Sequence, residues 1–221
     1  MAKRTTIFDA LRTGDPARVK RKLSREPESI SSRDDEGLTP LMRALYSGRE
    51  ELVAVMLERE PKLDVYEAAA LGRVDDLKRG IGRSKRRVNA MSADGFTPLH
   101  LAAYFGQPEA AAFLLDRGAE TEARSTHRAL HDVTPLHSAA AGGRTEVALL
   151  LLARGADPNA AQPGGWTPLH QAAATGNLPL CKALLKAGAK RKMMADDRSR
   201  AIDFAIENRH PEVVKLLQRG R

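Results

Sequence analysis

Apolar and small residues along this chain recur with a long period, and inside each period they keep helical spacing rather than the alternation of a strand. Counting from positions 5, 39, 63, 97, 134, 167 and 200, an aliphatic side chain follows two residues later: Ile7, Leu41, Val65, Leu99, Leu136, Leu169 and Ile202. Five residues after each start stands an alanine: Ala10, Ala44, Ala68, Ala102, Ala139, Ala172 and Ala205. Nine residues after it stands a glycine in six cases (Gly14, Gly48, Gly72, Gly106, Gly143, Gly176) and Arg209 in the last. A further apolar or small residue comes at fourteen: Val19, Val53, Leu77, Ala111, Ala148, Cys181 and Val214. A spacing of three puts the aliphatic residue and the alanine on one helix face, where the small side chain admits a neighbouring helix. Glycine then supplies the left-handed backbone that ends the helix. The pattern predicts a unit of helix, turn, second helix and connecting loop, used about seven times.

The starts themselves carry a motif. Thr39-Pro40-Leu41-Met42, Thr97-Pro98-Leu99-His100, Thr134-Pro135-Leu136-His137 and Thr167-Pro168-Leu169-His170 are variants of one tetrad, and degenerate copies begin at Thr5, Leu63 and Arg200. Threonine caps a helix with its hydroxyl, and proline in the first turn gives up an N–H that has no helical partner. Three second helices end at Gly118, Gly155 and Gly188. With the connecting segments Asp94-Gly95-Phe96, Gly118-Ala119-Glu120 and Gly155-Ala156-Asp157-Pro158-Asn159, the chain from about residue 5 to 221 resembles the ankyrin-repeat family. The resemblance implies an all-α solenoid of stacked helix-turn-helix pairs with projecting β-turn fingers, in a single domain over residues 1–221.

Departures from the period predict local differences. The step of 24 between Thr39 and Leu63 leaves only Arg59-Glu60-Pro61-Lys62, so a finger is expected to be missing near 58–64. The step of 37 from Thr97 to Thr134 adds residues around Arg124–Asp132, expected as a longer loop on the finger side near 124–133. Polar residues at signature positions of the last copy, Asp203, Arg209 and His210, read as a cap shielding the stacked core from water.

Composition narrows the function classes. Among 221 residues, 42% are hydrophobic and 29% charged, which excludes disorder, while only 4% are aromatic, so the core is aliphatic and alanine-rich. Cys181 is the single cysteine, which excludes an intrachain disulfide and a thiolate metal cluster and fits a reducing, cytoplasmic setting. Asp9, Arg12 and Asp15 interrupt any secretory apolar stretch near the N-terminus, and no segment approaches the ~20 apolar residues of a membrane span. A monomer without a membrane anchor is expected.

Catalytic and metal-binding readings find little support in the residues. His100, His137 and His170 recur at one register position and read as structural imidazoles that hydrogen-bond the tetrad and loop. His127, His131 and His137 have spacing open to zinc, but no orienting carboxylate or thiolate accompanies them. Cys181 takes a core position and reads as a buried, inert thiol. No phosphate-loop, dinucleotide or nucleophile-elbow glycine pattern occurs, so no cofactor, no metal and no catalytic residue is assigned, and an enzyme is not expected.

Two surfaces remain as candidates. The resemblance implies that the residue before each tetrad and those seven and eight after its start face a concave recognition surface. Five of the chain's nine aromatics, Tyr46, Phe96, Tyr104, Phe105 and Trp166, fall at those positions, together with Leu71 and Val133. These seven residues form the predicted protein-binding strip, with a hollow lined by Ala141, Gly142 and Ala174 beside Tyr104 and Trp166. A competing reading makes Phe96 and Trp166 braces between fingers and Phe105 a cover for a helix end. The second surface comes from the formal charge of +8 and the clusters Arg83-Ser84-Lys85-Arg86-Arg87, Lys190-Arg191-Lys192 and Arg18-Val19-Lys20-Arg21-Lys22. These support an alternative function, binding of nucleic acid or another acidic surface through basic loops.

Overall fold

The structure, a computed structural model, describes residues 6–219, so Thr5 lies outside the described residues. It is helical, with no strand among the described residues and only two isolated antiparallel bridges, Thr126 with His131 and Met194 with Arg200. The chain divides into two compact units that meet within one helix, after Glu67. Unit 1 contains α1 (Ile7–Thr13), α2 (Pro16–Arg25), a short 3-10 segment (Pro27–Ser31), α3 (Pro40–Tyr46), α4 (Glu50–Leu57) and the first turn of α5 (Val65–Ala70). Unit 2 continues through α6 (Val74–Ile81), the single turn α7 (Lys85–Val88), α8 (Pro98–Phe105), α9 (Pro108–Asp116), α10 (Pro135–Ala141) and α11 (Thr145–Ala153). It closes with α12 (Pro168–Ala174), α13 (Leu178–Lys186), α14 (Ala201–Glu207) and α15 (Pro211–Gln218).

Within unit 2 the helices form two layers. In one, α8 packs on α10, α10 on α12 and α12 on α14; in the other, α9, α11, α13 and α15 lie side by side. Alanine makes this spacing workable: Ala102, Ala139, Ala172 and Ala205 are fully buried at the centres of the first layer, and Leu99, Leu136 and Leu169 fill the space beside them.

Helix starts follow from local chemistry. The hydroxyls of Thr39, Thr97 and Thr134 accept the N–H groups of Met42, His100 and His137 at 3.2–3.4 Å. In the two degenerate copies that begin at Thr5 and Leu63 the cap moves by one residue, whereas α14 starts at the register residue Arg200. Thr6 caps α1 with Asp9 as its reciprocal partner, and Asp64 caps α5 by accepting the N–H groups of Tyr66 and Glu67, both at 2.9 Å.

The first-helix endings show why glycine recurs. Gly106 has φ +79°, and a Cβ there would meet the Arg144 side chain at 2.6 Å. Arg144 belongs to a ladder in which the residue after the turn reaches back to the preceding first helix. Gln107 donates to the Ala70 carbonyl at 3.0 Å, Arg144 to that of Tyr104 at 3.2 Å, Asn177 to that of Gly143 at 3.3 Å and His210 to that of Ala174 at 3.1 Å. In unit 1, Arg49 does the same for Leu11 at 2.9 Å. At Ala70, Tyr104 and Ala174 these bonds satisfy carbonyls that a helix C-terminus otherwise leaves without a donor, whereas the Leu11 and Gly143 carbonyls also accept the Gly14 and Thr145 N–H groups. His210, a polar departure in the sequence, is therefore a rung joining α12 to the last pair. Asn177 adds a second role, since its Oδ1 accepts the Leu180 N–H at 3.0 Å as the cap of α13. Asn177→Ala is expected to cost about 1–2 kcal/mol, read from urea unfolding of the purified chain; an unchanged midpoint would deny the ladder its energetic role.

Fingers precede α3, α8, α10, α12 and α14. Each is a turn in which the first residue's N–H donates to the last residue's carbonyl: Asp34 to Leu38, Ser92 to Phe96, Ser125 to Val133, Gln162 to Trp166 and Ala195 to Ser199, at 2.8–3.0 Å. Between α4 and α5, residues 58–64 run without such a turn. The 125–133 finger is lengthened around His127, whose Nδ1 accepts the N–H groups of Ala129 and Leu130 at 3.1 and 3.0 Å. Adjacent fingers join through Thr126 N–H to the Gly95 carbonyl and Asp196 N–H to the Gly164 carbonyl, both 2.9 Å.

Candidate functional site

Two tetrad histidines, His100 and His137, bind the next finger to the helix before it. In α8 the Thr97 N–H and hydroxyl meet His100 Nδ1, at 3.3 and 2.7 Å, so Nδ1 is the acceptor and Nε2 carries the proton. That Nε2–H donates to the Val133 carbonyl at 2.8 Å, at the end of the next finger. His137 repeats the arrangement with Thr134 and the Trp166 carbonyl at 3.2 Å. Burial outweighs these hydrogen bonds and pushes both imidazoles down to about 4. They are neutral at pH 7 and act as fixed two-ended connectors, with no free nitrogen for acid–base chemistry. His170 is equally buried, but its Nε2 lacks a partner among the described residues.

Unit 1 solves the same problem with a carboxylate. Met42 stands where the other tetrads have histidine, and the buried Glu67 reaches back instead: the Thr39 hydroxyl donates to Glu67 Oε1 at 2.6 Å, and the Asp64 N–H to Oε2 at 2.9 Å. Burial raises the Glu67 carboxyl above its usual range despite these donors.

The predicted recognition residues separate into distinct environments. Tyr104 is 40% exposed on α8 and holds Phe105 edge-on, with ring centroids 5.2 Å apart at 89°. Leu71, just beyond α5, is half-buried. Phe96 is half-buried, stacked on the His127 ring at 5.4 Å and tilted against His100 at 5.8 Å, so it braces the lengthened finger. Trp166 is half-buried against Phe204 at 4.3 Å and against His170. Val133 is only 8% exposed, so it offers a partner almost no apolar surface; its carbonyl is the acceptor for His100. The predicted hollow does not form at Gly142, because a Cβ there would lie 2.2 Å from the Tyr104 carbonyl oxygen; the backbones are already in contact. Tyr46, half-buried at the end of α3, belongs to unit 1.

Some exposed apolar groups were not legible from the register. Met91 borders the 92–96 finger, Leu130 lies within the lengthened finger and Met194 borders the 195–199 finger; they are 38%, 53% and 59% exposed. Their sequence signal is a large apolar residue within a polar connecting segment. Unit 1 carries an open groove of about 1020 Å³ between α1, the 34–38 finger and α3. Phe8, Leu11, Ala44 and Leu52 line it together with paired charges, in which Arg43 bonds Asp34 and Glu36, and Arg12 bonds Asp9. The Thr6 N–H, its hydroxyl and Arg12 hold the Asp9 carboxyl at about 2.

Cys181 is buried and its thiol is pushed up to about 12 by burial, so it presents no nucleophile. Among the described residues no group of three metal-ligating side chains converges. No described helix is long and apolar enough to cross a membrane. In the first basic cluster, Arg83, Lys85 and Arg86 are exposed around α7, whereas Arg87 donates to the Gly80 carbonyl at 2.9 Å. On α2, Lys20 and Lys22 are paired with Glu58 and Glu26.

A family model of ankyrin repeats, covering three copies, matches residues 65–162 and 136–220. Among curated proteins, the mouse (Mus musculus) ankyrin repeat and SAM domain-containing protein 6 is 27% identical over 123 residues, 56% of this chain and 11% of that protein. The ankyrin repeat domain-containing protein oryK of Aspergillus oryzae is 44% identical over 57 residues, 26% of this chain and 9% of that one. The human (Homo sapiens) DNA-binding protein RFXANK is 36% identical over 66 residues, 30% of this chain and 25% of that one. The matched part of this chain thus spans between about a tenth and a quarter of these relatives.

Proposed function

Because the chain belongs to the ankyrin-repeat family, whose repeats are generally protein–protein interaction modules, we propose that it is a non-catalytic scaffold recognising a protein partner with the finger-side face of unit 2. The observation that carries this reading is Tyr104. An amphipathic ring, 40% exposed and held edge-on to Phe105, is a preordered anchor that loses little side-chain entropy on binding. Leu71, from the preceding helix pair, and the exposed Met91, Leu130 and Met194 along the fingers add apolar surface, while Phe96 and Trp166 stiffen the fingers. The repeats act in this reading as one domain.

Affinity capture from a lysate of the source organism tests the proposal, comparing the native chain with Tyr104→Ser at low and high salt, with nuclease as a control. Tyr104 is exposed, so its substitution leaves the fold intact. A partner retained by the native chain and lost by the variant at both salts is the expected result. Capture that ignores the variant and disappears with salt or nuclease would overturn it in favour of the basic loops.

A further inference from the structure

The second-layer helices α13 and α15 pack side by side at the end of unit 2. Their outward positions are cationic in register. Lys182 and Lys186 on α13 correspond to Lys215 and Arg219, within and just after α15, each 15 and 19 residues after the starts at 167 and 200. All four are exposed, and among the described residues none takes part in an ion pair. The loop leaving α13 continues the charge with Lys190, Arg191 and Lys192, also exposed, and is anchored through the Lys190 N–H to Asn159 Oδ1 at 2.8 Å.

The patch is bounded. At the same two register positions α9 carries Ala112 and Asp116, and α11 carries Leu149 and Ala153. At the register positions of Lys190, Arg191 and Lys192 those pairs hold Glu120, Thr121 and Glu122, and Asp157, Pro158 and Asn159. Several cations elsewhere on the second helices are neutralised locally: Lys78 by Asp75, Arg79 by Asp76 and Arg154 by Asp116. On α13 and α15 the one carboxylate is Glu212, in the first turn of α15, three residues before Lys215 and in no ion pair with it.

We propose that this outer face of α13 and α15 binds the phosphate backbone of duplex nucleic acid without reading its sequence. Neighbouring helices lie ~10 Å apart and four residues rise ~6 Å, so the four helix cations span roughly 10 by 6 Å, and the loop extends that patch. A duplex carries one charge per ~1.7 Å with both strands counted, hence about three to four phosphates over ~6 Å, distributed around its axis. An extended acidic peptide advances ~3.3 Å per residue with alternate side chains turned away, so it offers about one carboxylate over the same span. The duplex therefore presents the denser anionic charge. Lysine predominates, and its flexible point charge follows phosphate oxygens without demanding the planar geometry that arginine reads. Neither helix nor the loop contains Phe, Tyr or Trp, which removes the stacking needed to hold unpaired bases.

The test uses the purified full chain and a fluorescent duplex of mixed sequence, about 20 base pairs long, in anisotropy titrations from about 50 to 300 mM salt. Expected are salt-sensitive binding, indifference to base sequence, and a loss of about tenfold or more in Lys182→Gln/Lys186→Gln/Lys215→Gln, with the log–log salt slope falling by about 3. Arg83→Gln/Lys85→Gln/Arg86→Gln removes equal charge away from the patch and is expected to bind nearly as the native chain does. Absence of binding at the lowest salt, or equal weakening by both triple variants, overturns the proposal. So does displacement of the duplex by polyglutamate as readily as by unlabelled duplex at equal charge, which would assign the face to an acidic protein segment. The Tyr104→Ser variant is expected to retain duplex binding, so this proposal and the concave-face reading stand or fall separately.

Discussion

Acidifying the protein from pH 6.5 to 4 is expected to destabilise unit 2 by about 3 kcal/mol for each of His100 and His137. Both imidazoles are held at about 4 by burial, against an ordinary value of 6.5 in an unfolded chain. Between those values the unfolded chain takes up protons that the folded chain refuses, so stability is complete above pH 6.5 and declines as pH falls. The loss accrues at about 1.4 kcal/mol per pH unit per histidine. His170, also lowered by burial, acts in the same direction. Asp34 and Asp203 are lowered from 3.8 and so lose their contributions at still lower pH. Glu67 works oppositely: its carboxyl is raised, so protonation favours the fold as pH falls, but it belongs to unit 1. Urea midpoints measured at intervals from pH 7 to 4.5 test this. The His100→Gln/His137→Gln chain should begin less stable and show a much shallower pH dependence. An equally steep decline in the double variant would transfer the effect to other groups.

The second large effect is Leu136→Ala, expected to cost about 3–4 kcal/mol. Leu136 is fully buried on α10, between α8 and α12, where no flexible surface group can fill the vacated space. In a stack stabilised by neighbouring contacts the damage should spread unevenly. Hydrogen exchange is expected to accelerate in α8, α10 and α12 before α15. Leu149→Ala is the matched control: Leu149 is 50% exposed, and its loss is expected to change stability by no more than about 0.5 kcal/mol. A cost for Leu136→Ala close to that of the control would mean that α10 is not packed as described.

Ala102, Ala139 and Ala172 were recognisable from the sequence as buried close-approach positions because their spacing from the preceding leucine is a property of one helix. The left-handed glycines were recognisable for a similar local reason; even Arg209, the exception, adopts φ +59° at that position. The ladder of Gln107, Arg144, Asn177 and His210 was harder to see. Its side chains share a register position and hydrogen-bonding capacity but not a residue type, and their acceptors lie more than thirty residues away. Val133 shows the converse difficulty: the register put it on the recognition face, whereas the lengthened finger buries its side chain and uses its carbonyl.

The sequence alone determined where helices begin and end, which faces are apolar and which repeat family the chain resembles, since capping, turn formation and helical periodicity act within a few residues. Only the tertiary structure decided which aromatic rings remain exposed. Tyr104 stays exposed, while Trp166 is drawn onto Phe204 from the next helix pair and Phe96 onto His127 from the next finger. The pairing of charges was settled at the same level, leaving Lys182, Lys186 and Lys215 without carboxylate partners among the described residues. Exposure and ion pairing depend on side chains brought together across repeats, and their distances are set by packing rather than by position in the period.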